Sequence, residues 1–522
     1  MLSIVRSGGV RGLASYLMQV EVDAANGLPS FVMVGYVSSD TKEACERVRV
    51  ALKNAGYRIP PMHITVNLSP AAIRKEGVSI DLPLAIGLLV SMGEIPEEKL
   101  DRVLILGELG LDGKVMKVSG TLPIVTAAKA AGITTCILPA ENATEGAVVG
   151  GIRIVGVSSL QETIAWILSE ESVRNELIPP TTVDLNKLFA RANEICTEDF
   201  SEISGQQAVK RAAEVAAAGF HHLLIIGPPG AGKSMIAKRI PGILPPLSED
   251  ESLEVSAIYS VSGLLGRDEA LITRRPFMSP HHTVTEAALT GGGSIPRPGI
   301  ISLAHRGVLF LDELPEFSRT TLDLLRQPLE DRKIRLARTH GSCTFPADFQ
   351  LIAAMNPCPC GYYPDRNKCR CTDSEIRRYL SRVSGPILDR LDICIEAKRI
   401  DVSELSQAKK NENESSADIR RRVLAARDMQ QKRFMGTKLR FNSDMGPSDI
   451  KRYCPLGSKE EAMLSRLFHT LDLSARSYHR IIKVARTIAD LEGAPVIETK
   501  HLSEAACYRM TDARYWSNKE GD

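Results

Sequence analysis

The chain lacks any run of the roughly 18–20 apolar residues that cross a bilayer. Its best candidate, Leu82 to Met92, is interrupted by Pro83 and Gly87 and reads as a buried helix. It also lacks an excess of charge: 65 basic against 63 acidic residues leave +2. Any nucleic-acid surface is therefore local, a loop or a ring lumen. The opening Met1-Leu2-Ser3-Ile4-Val5-Arg6 has neither the long apolar core nor the cleavage site of a secretory signal. Of 11 cysteines, several stand alone in apolar runs (Cys136, Cys394). That suits a reducing, cytoplasmic setting better than a disulfide framework. At 522 residues the chain exceeds one core, and roughly three domains are expected.

What is present centres on Gly227-Pro228-Pro229-Gly230-Ala231-Gly232-Lys233-Ser234, a complete G-x-x-x-x-G-K-[ST] pattern. The apolar run His222 to Ile226 before it predicts a strand, and Ser234 to Ile240 opens a helix. Strand, glycine-rich turn and helix N-terminus direct backbone N–H groups and a positive dipole end at one anion. Lys233 is then placed for the β/γ-phosphates and the Ser234 hydroxyl for Mg²⁺. This is the signature of a nucleotide-triphosphate site. Gly307 to Leu311 predicts a second strand, ending in Asp312 and Glu313. Asp312 suits the Mg²⁺ shell, and Glu313 the orientation or deprotonation of an attacking water. Phe349 to Met355 predicts a third strand, ending at Asn356.

Three further stretches carry chemistry. Lys333 to Phe345 predicts a hairpin with Gly341 near its turn and Lys333, Arg335, Arg338 and His340 along it. Such a stretch is either a phosphate-backbone contact or an ordinary solvated hairpin. Cys358, Cys360, Cys369 and Cys371 form two C-x-C pairs in one short segment. They are compatible with a closed, structural Zn²⁺ site or with unliganded thiols. Ser474 to Leu491 predicts a helix with Ile481, Val484, Ala485 and Ile488 on one face and Arg476, Arg480 and Lys483 on another. His281-His282, without carboxylate neighbours in sequence, reads as lining a surface.

Residues 1–170 alternate strand and helix patterns in an α+β arrangement without a phosphate loop. Expected strands are Tyr16 to Asp23, Phe31 to Val34, His63 to Leu68 and Thr135 to Leu138, with helices at Thr41 to Asn54 and Thr121 to Ala131. Residues 171–193, polar and containing Pro179-Pro180, read as a linker. Residues 194–400 hold the phosphate loop, and 401–522 are helical, a lid.

Several of these pieces resemble known families. Lys75-Glu76-Gly77-Val78-Ser79, Gly107-Glu108-Leu109 and Ala131-Gly132-Ile133 resemble the Lon-protease-like branch of the ribosomal S5 domain 2 fold. Ser79 stands at that branch's nucleophile position, but Thr121 stands where its lysine belongs. A serine without a base is a poor nucleophile, so a non-catalytic domain is expected. The order of the whole chain resembles the ComM/YifB family of magnesium-chelatase-like AAA+ ATPases, with Gly219-Phe220-His221-His222 and Ser477-Tyr478-His479-Arg480 among the matching stretches. The segment between Lys233 and Asp312 resembles the helix-2 insertion of the magnesium-chelatase clade.

The resemblance implies an AAA+ core in which Ile203 and Gly205 lie on the adenine side. It makes Asn356 the sensor 1 residue, Arg390 the finger into a neighbour's site and Arg476 the sensor 2 arginine. It places the basic hairpin in a ring lumen. It implies a hexamer that hydrolyses ATP with Mg²⁺ and translocates on DNA, driving branch migration in recombination and natural transformation. The alternative is a magnesium-chelatase-like ATPase that powers metal insertion or protein remodelling without DNA; residues 1–170 are not expected in a chelatase subunit.

Overall fold

A computed structural model describes all residues except 1, 36–37, 72–74, 76–78, 195–197, 267–268, 294–295, 339–340, 400–412, 471–473 and 517–522. His340 and the Glu76-Gly77-Val78 stretch lie outside the described residues, as does the side chain of Arg338.

The N-terminal region is built on a seven-stranded mixed sheet. The long antiparallel pair Leu2–Arg11 and Ala14–Asn26 forms its middle. Outward from Ala14–Asn26 come Met62–Ser69 and Ser30–Val34; outward from Leu2–Arg11 come Val103–Ile105, Thr135–Pro139 and Arg153–Val157. The helix Asp81–Ser91 is buried along its whole length. Between Asp81, whose carboxylate is paired with Arg47 at 2.8 Å, and Ser91 the helix is apolar on every face and has no solvent face to offer; it lies across the central pair. The absent side chain of Gly87 permits that approach: a Cβ there would meet Val22 Cγ2 at 2.9 Å. The strand Leu2–Arg11, absent from the sequence expectations, is edged by buried Ser3, Val5 and Ser7. Glu108–Leu109 and Val115–Met116 form a hairpin around Asp112-Gly113. Residues 171–193, expected to be a linker, carry the helices Glu171–Leu177 and Leu185–Glu194.

The second region is a parallel five-stranded sheet in the order Phe277–Met278, Val308–Leu311, Gln350–Met355, Leu223–Ile226, Ile393–Glu396. All four of its pairings are parallel. Parallel strands are buried on both faces and read as continuous apolar runs. Leu223–Ile226, Val308–Leu311 and Gln350–Met355 are accordingly buried throughout. In open sheets of this kind, ligands gather outside the carboxyl ends of the strands.

The last fifth is helical: Ser416–Arg433, Pro447–Tyr453, Ser458–Thr470, Ala475–Leu491 and Thr499–Trp516. The apolar face read for the fourth of these is buried at Ile481, Val484, Ala485 and Ile488. It shares one core with Gln207–Gly219 and Lys233–Ile243. Gly219-Phe220-His221-His222 makes the join. Phe220 stacks on Phe441 with ring centroids 4.8 Å apart, and His221 Nε2 is 2.8 Å from Thr487 Oγ1. Among the described residues, no helix is long and apolar enough to cross a membrane.

Leu88 is fully buried in the N-terminal core. Leu88→Ala should destabilise that region by about 2–5 kcal/mol. Guanidinium unfolding followed by the fluorescence of buried Trp166 measures the effect; a loss below about 1 kcal/mol would contradict the packing described.

Candidate functional site

Three strand ends converge on the phosphate loop. The loop leaves Leu223–Ile226, and Gly227 N–H donates to Met355 O on the neighbouring strand at 3.1 Å. On its other side a Cβ at Gly227 would lie 2.5 Å from Ala397 O, so only glycine permits that approach. Gly230 and Gly232 adopt φ of +77° and +81°, in the left-handed region that a side chain disfavours. Gly232 directly precedes the helix Lys233–Ile243.

Lys233 reaches back across its own loop. Its Nζ donates to Gly227 O at 2.7 Å, Pro228 O at 3.0 Å and Asn356 Oδ1 at 3.0 Å. Burial pushes its pKa below the usual lysine range, opposed by Asp312 and Glu313. Ser234 Oγ donates to Asp312 Oδ2 at 2.6 Å. A hydroxyl and a carboxylate oxygen this close are the hard donors that Mg²⁺ takes. Phosphate loop, Asp312 and Asn356 are thus brought together as the sequence led us to expect.

Glu313 follows at φ +51°. A non-glycine residue held there costs about 1–3 kcal/mol, a kind of strain that concentrates at functional sites. Its carboxylate is largely exposed, 3.9 Å from His282 Nδ1, and the His282 ring lies tilted against that of His281, with centroids 4.0 Å apart. The histidine pair therefore belongs beside the candidate catalytic carboxylate, which the sequence reading missed. Gln206 was missed as well: its Nε2 donates to Ala231 O at 3.2 Å and to Lys398 O, tying the segment before the helix to the loop. Gly205 lies at φ +62°. Ile203 is 4% exposed; its amide donates to Phe200 O and its carbonyl accepts from Lys210. Its side chain packs in the core shared with the helix Gln207–Gly219.

Arg390 and Arg476 are not brought to this chain's phosphate loop. They line a different cavity, of about 290 Å³, with Glu330, Arg332, Asp392, Arg480 and Lys483. Arg390 is held by Glu330 at 2.5 Å and Pro386 O at 2.6 Å, while Arg476 is exposed. Burial works to raise the Asp392 carboxyl, but the His221 ring and the Arg480 guanidinium hold it far below the usual carboxylate range. Burial lowers Lys483, with Asp392 opposing.

The expected hairpin pairs Lys333–Arg338 with Gly341–Pro346. Lys333 and Arg335 are exposed, whereas Ile334, Leu336, Cys343 and Phe345 turn inward. At its root, Arg332 bonds Asp444 of the helical region at 2.6 Å. In the N-terminal region, Thr121 is buried where a catalytic lysine would stand. Lys117 donates to Leu265 O and Lys129 to Val149 O, each engaged by a backbone carbonyl.

The sulfurs of Cys358, Cys360, Cys369 and Cys371 all lie within 4.8 Å of one another. The measured separations are 3.4 Å (358–360), 3.7 Å (358–369) and 3.6 Å (360–369). A disulfide needs about 2.05 Å. Zn–S bonds of about 2.3 Å in a tetrahedron put sulfurs about 3.8 Å apart, close to what is found. Tyr363 N–H also points at Cys358 Sγ, at 3.4 Å.

Comparison with known proteins adds identity to this geometry. Three family models cover most of the chain: "Subunit ChlI of Mg-chelatase" at residues 20–142, "Magnesium chelatase, subunit ChlI" at 199–405 and its C-terminal companion at 413–509. YifB of Escherichia coli is 42% identical over 98% of this chain and 97% of its own length. The competence protein ComM of Haemophilus influenzae is 40% identical over 97% of both. The chain belongs to the ComM/YifB family of magnesium-chelatase-like proteins. A magnesium-chelatase 38 kDa subunit from Cereibacter sphaeroides is 23% identical over 60% of this chain. The first family model falls inside residues 1–170, so that region's presence does not by itself separate a ComM/YifB protein from a chelatase subunit. The family implies use of ATP and Mg²⁺.

Substitution separates the roles. Lys233→Ala should abolish nucleotide binding, whereas Glu313→Gln should bind nucleotide with a turnover lowered about 10²–10⁴-fold. Binding titration beside steady-state phosphate release tells them apart; a Glu313→Gln variant with unaltered turnover would remove Glu313 from the chemistry.

Proposed function

We propose that the chain is the ATP-hydrolysing subunit of a ring, a hexamer in the cytoplasm, that translocates on DNA and drives branch migration during recombination and natural transformation. Lys233 and the loop amides bind the phosphates, and Ser234 and Asp312 hold Mg²⁺, which neutralises charge on the transferring phosphoryl group. Glu313 orients and deprotonates water, and Asn356 fixes the water and the phosphate end against Lys233. Arg390 and Arg476, gathered in a cavity that no phosphate-loop residue lines, serve the nucleotide of the neighbouring subunit. One Zn²⁺ on Cys358, Cys360, Cys369 and Cys371 closes its coordination shell and is structural.

The observation that carries the DNA part is the hairpin. Lys333 and Arg335 stand on its exposed face, and Arg338 extends the same strand. Arg332 at its root also lines the cavity of Arg390 and Arg476. A change at a subunit boundary thereby has a direct path to a basic surface that suits a phosphate backbone. The relative named as a competence protein supports DNA over metal insertion as the work done.

ATPase rate and DNA affinity are measured with single-stranded and forked DNA across a salt series. We expect DNA to stimulate hydrolysis, and Arg335→Ala to reduce the slope of log affinity against log salt by about one. A steady basal rate that no DNA alters, with Arg335→Ala matching the wild type, would favour the chelatase-like or protein-remodelling alternative.

A further inference from the structure

We propose that the four-thiolate cluster is a metal-controlled support for the ATP site: zinc on Cys358, Cys360, Cys369 and Cys371 holds a loop that presses on the phosphate loop, so metal loading sets nucleotide affinity. This rests on the zinc reading above and extends it from a local staple to a determinant of the neighbouring site.

The connection is short and continuous. The strand Gln350–Met355 gives Met355 O to Gly227 N–H, and the next residue, Asn356, gives Oδ1 to Lys233. Two residues later comes Cys358, fully buried. Gly361 N–H donates back to Cys358 O at 2.9 Å, closing a turn. Gly361 sits at φ +85°, and a Cβ built on it would fall 2.4 Å from Pro229 Cδ and 2.8 Å from Pro229 Cγ. The backbone of the cysteine loop thus lies directly on the ring of a phosphate-loop proline. The segment that runs from the end of the strand Gln350–Met355 into the cysteine loop thus touches the phosphate loop at Met355, at Asn356 and, within the cysteine loop itself, at Gly361.

Residues 358–371 contain neither helix nor strand, so no backbone ladder holds them in place. On the far side, Tyr363 makes an edge contact with Tyr515 at 6.1 Å, and Cys369 N–H donates to Asp365 O. Four converging thiolates repel one another unless a cation sits among them, and a metal cross-link contributes folding free energy directly. Zinc therefore fixes the position of Gly361 and the direction in which Asn356 leaves its strand. Without it the sulfurs separate, Gly361 withdraws from Pro229, and the loop loses the preorganisation that favours nucleotide binding.

The test uses the full-length protein. Zinc per chain is measured by elemental mass spectrometry, and the Kd for a fluorescent ADP analogue with Mg²⁺ is measured as purified, after zinc is stripped with a thiol-reactive mercurial and chelator, and after Zn²⁺ is restored under reducing conditions. We expect one zinc per chain, a Kd raised on the order of tenfold on stripping, and recovery with Zn²⁺. Gly361→Ala keeps all four thiols, so it should retain its zinc while showing a similarly raised Kd. That variant decides the matter even if the stripped protein unfolds. One zinc per chain with an unchanged Kd in Gly361→Ala would overturn the coupling and leave the zinc reading standing. A protein that binds no zinc would overturn both.

Discussion

The structure turns on one buried ammonium. Lys233 is held by two carbonyls of its own loop and by the amide oxygen of Asn356, at the point where three parallel strands end. A buried cation is costly without partners, and here the partners come from two parts of the site, the loop itself and the end of the strand Gln350–Met355. The loop carbonyls require the left-handed glycines, and Asn356 requires the strand Gln350–Met355 to end at that level. The opposing charge requires Val308–Leu311 to deliver Asp312.

The C-terminal helical region is anchored to this sheet rather than appended to it. His221, Phe220 and Arg332 reach Thr487, Phe441 and Asp444 respectively, so the base of the basic hairpin and the lid share fixed points. Asp392, at the start of the last strand, keeps its charge in a buried setting because His221 and Arg480 surround it. Its ion pair with Arg480, at 3.4 Å, ties the helix Ala475–Leu491 to that end of the sheet.

Much of this was legible in sequence wherever chemistry is written in consecutive residues. The phosphate loop, the strand end at Asp312-Glu313, the hairpin about Gly341 and the two faces of Ala475–Leu491 each follow from local spacing. What was illegible depends on tertiary approach. His282 meets Glu313 across a segment whose path no periodicity reports, and Gln206 reaches the phosphate loop from a short left-handed turn. The helices in residues 171–193 escaped notice because their polar composition and Pro179-Pro180 outweighed a weak apolar stripe. Leu2–Arg11 was overlooked because glycine and serine dilute its alternation, though pairing with Ala14–Asn26 places it at the middle of its sheet. Spacing suggested the four cysteines as ligands, but only the folded loop shows their sulfurs at near-tetrahedral distances and their backbone against Pro229.

We propose that a working ATP site is assembled between two copies of the chain, one supplying the loop of Lys233 and the other Arg390. The most direct measurement mixes Lys233→Ala with Arg390→Ala and compares ATP hydrolysis with that of each variant alone. The account predicts two inactive proteins whose mixture recovers activity, because some boundaries then pair an intact loop with an intact arginine. A mixture as inactive as its components, or an Arg390→Ala protein that hydrolyses ATP at the wild-type rate, would contradict it.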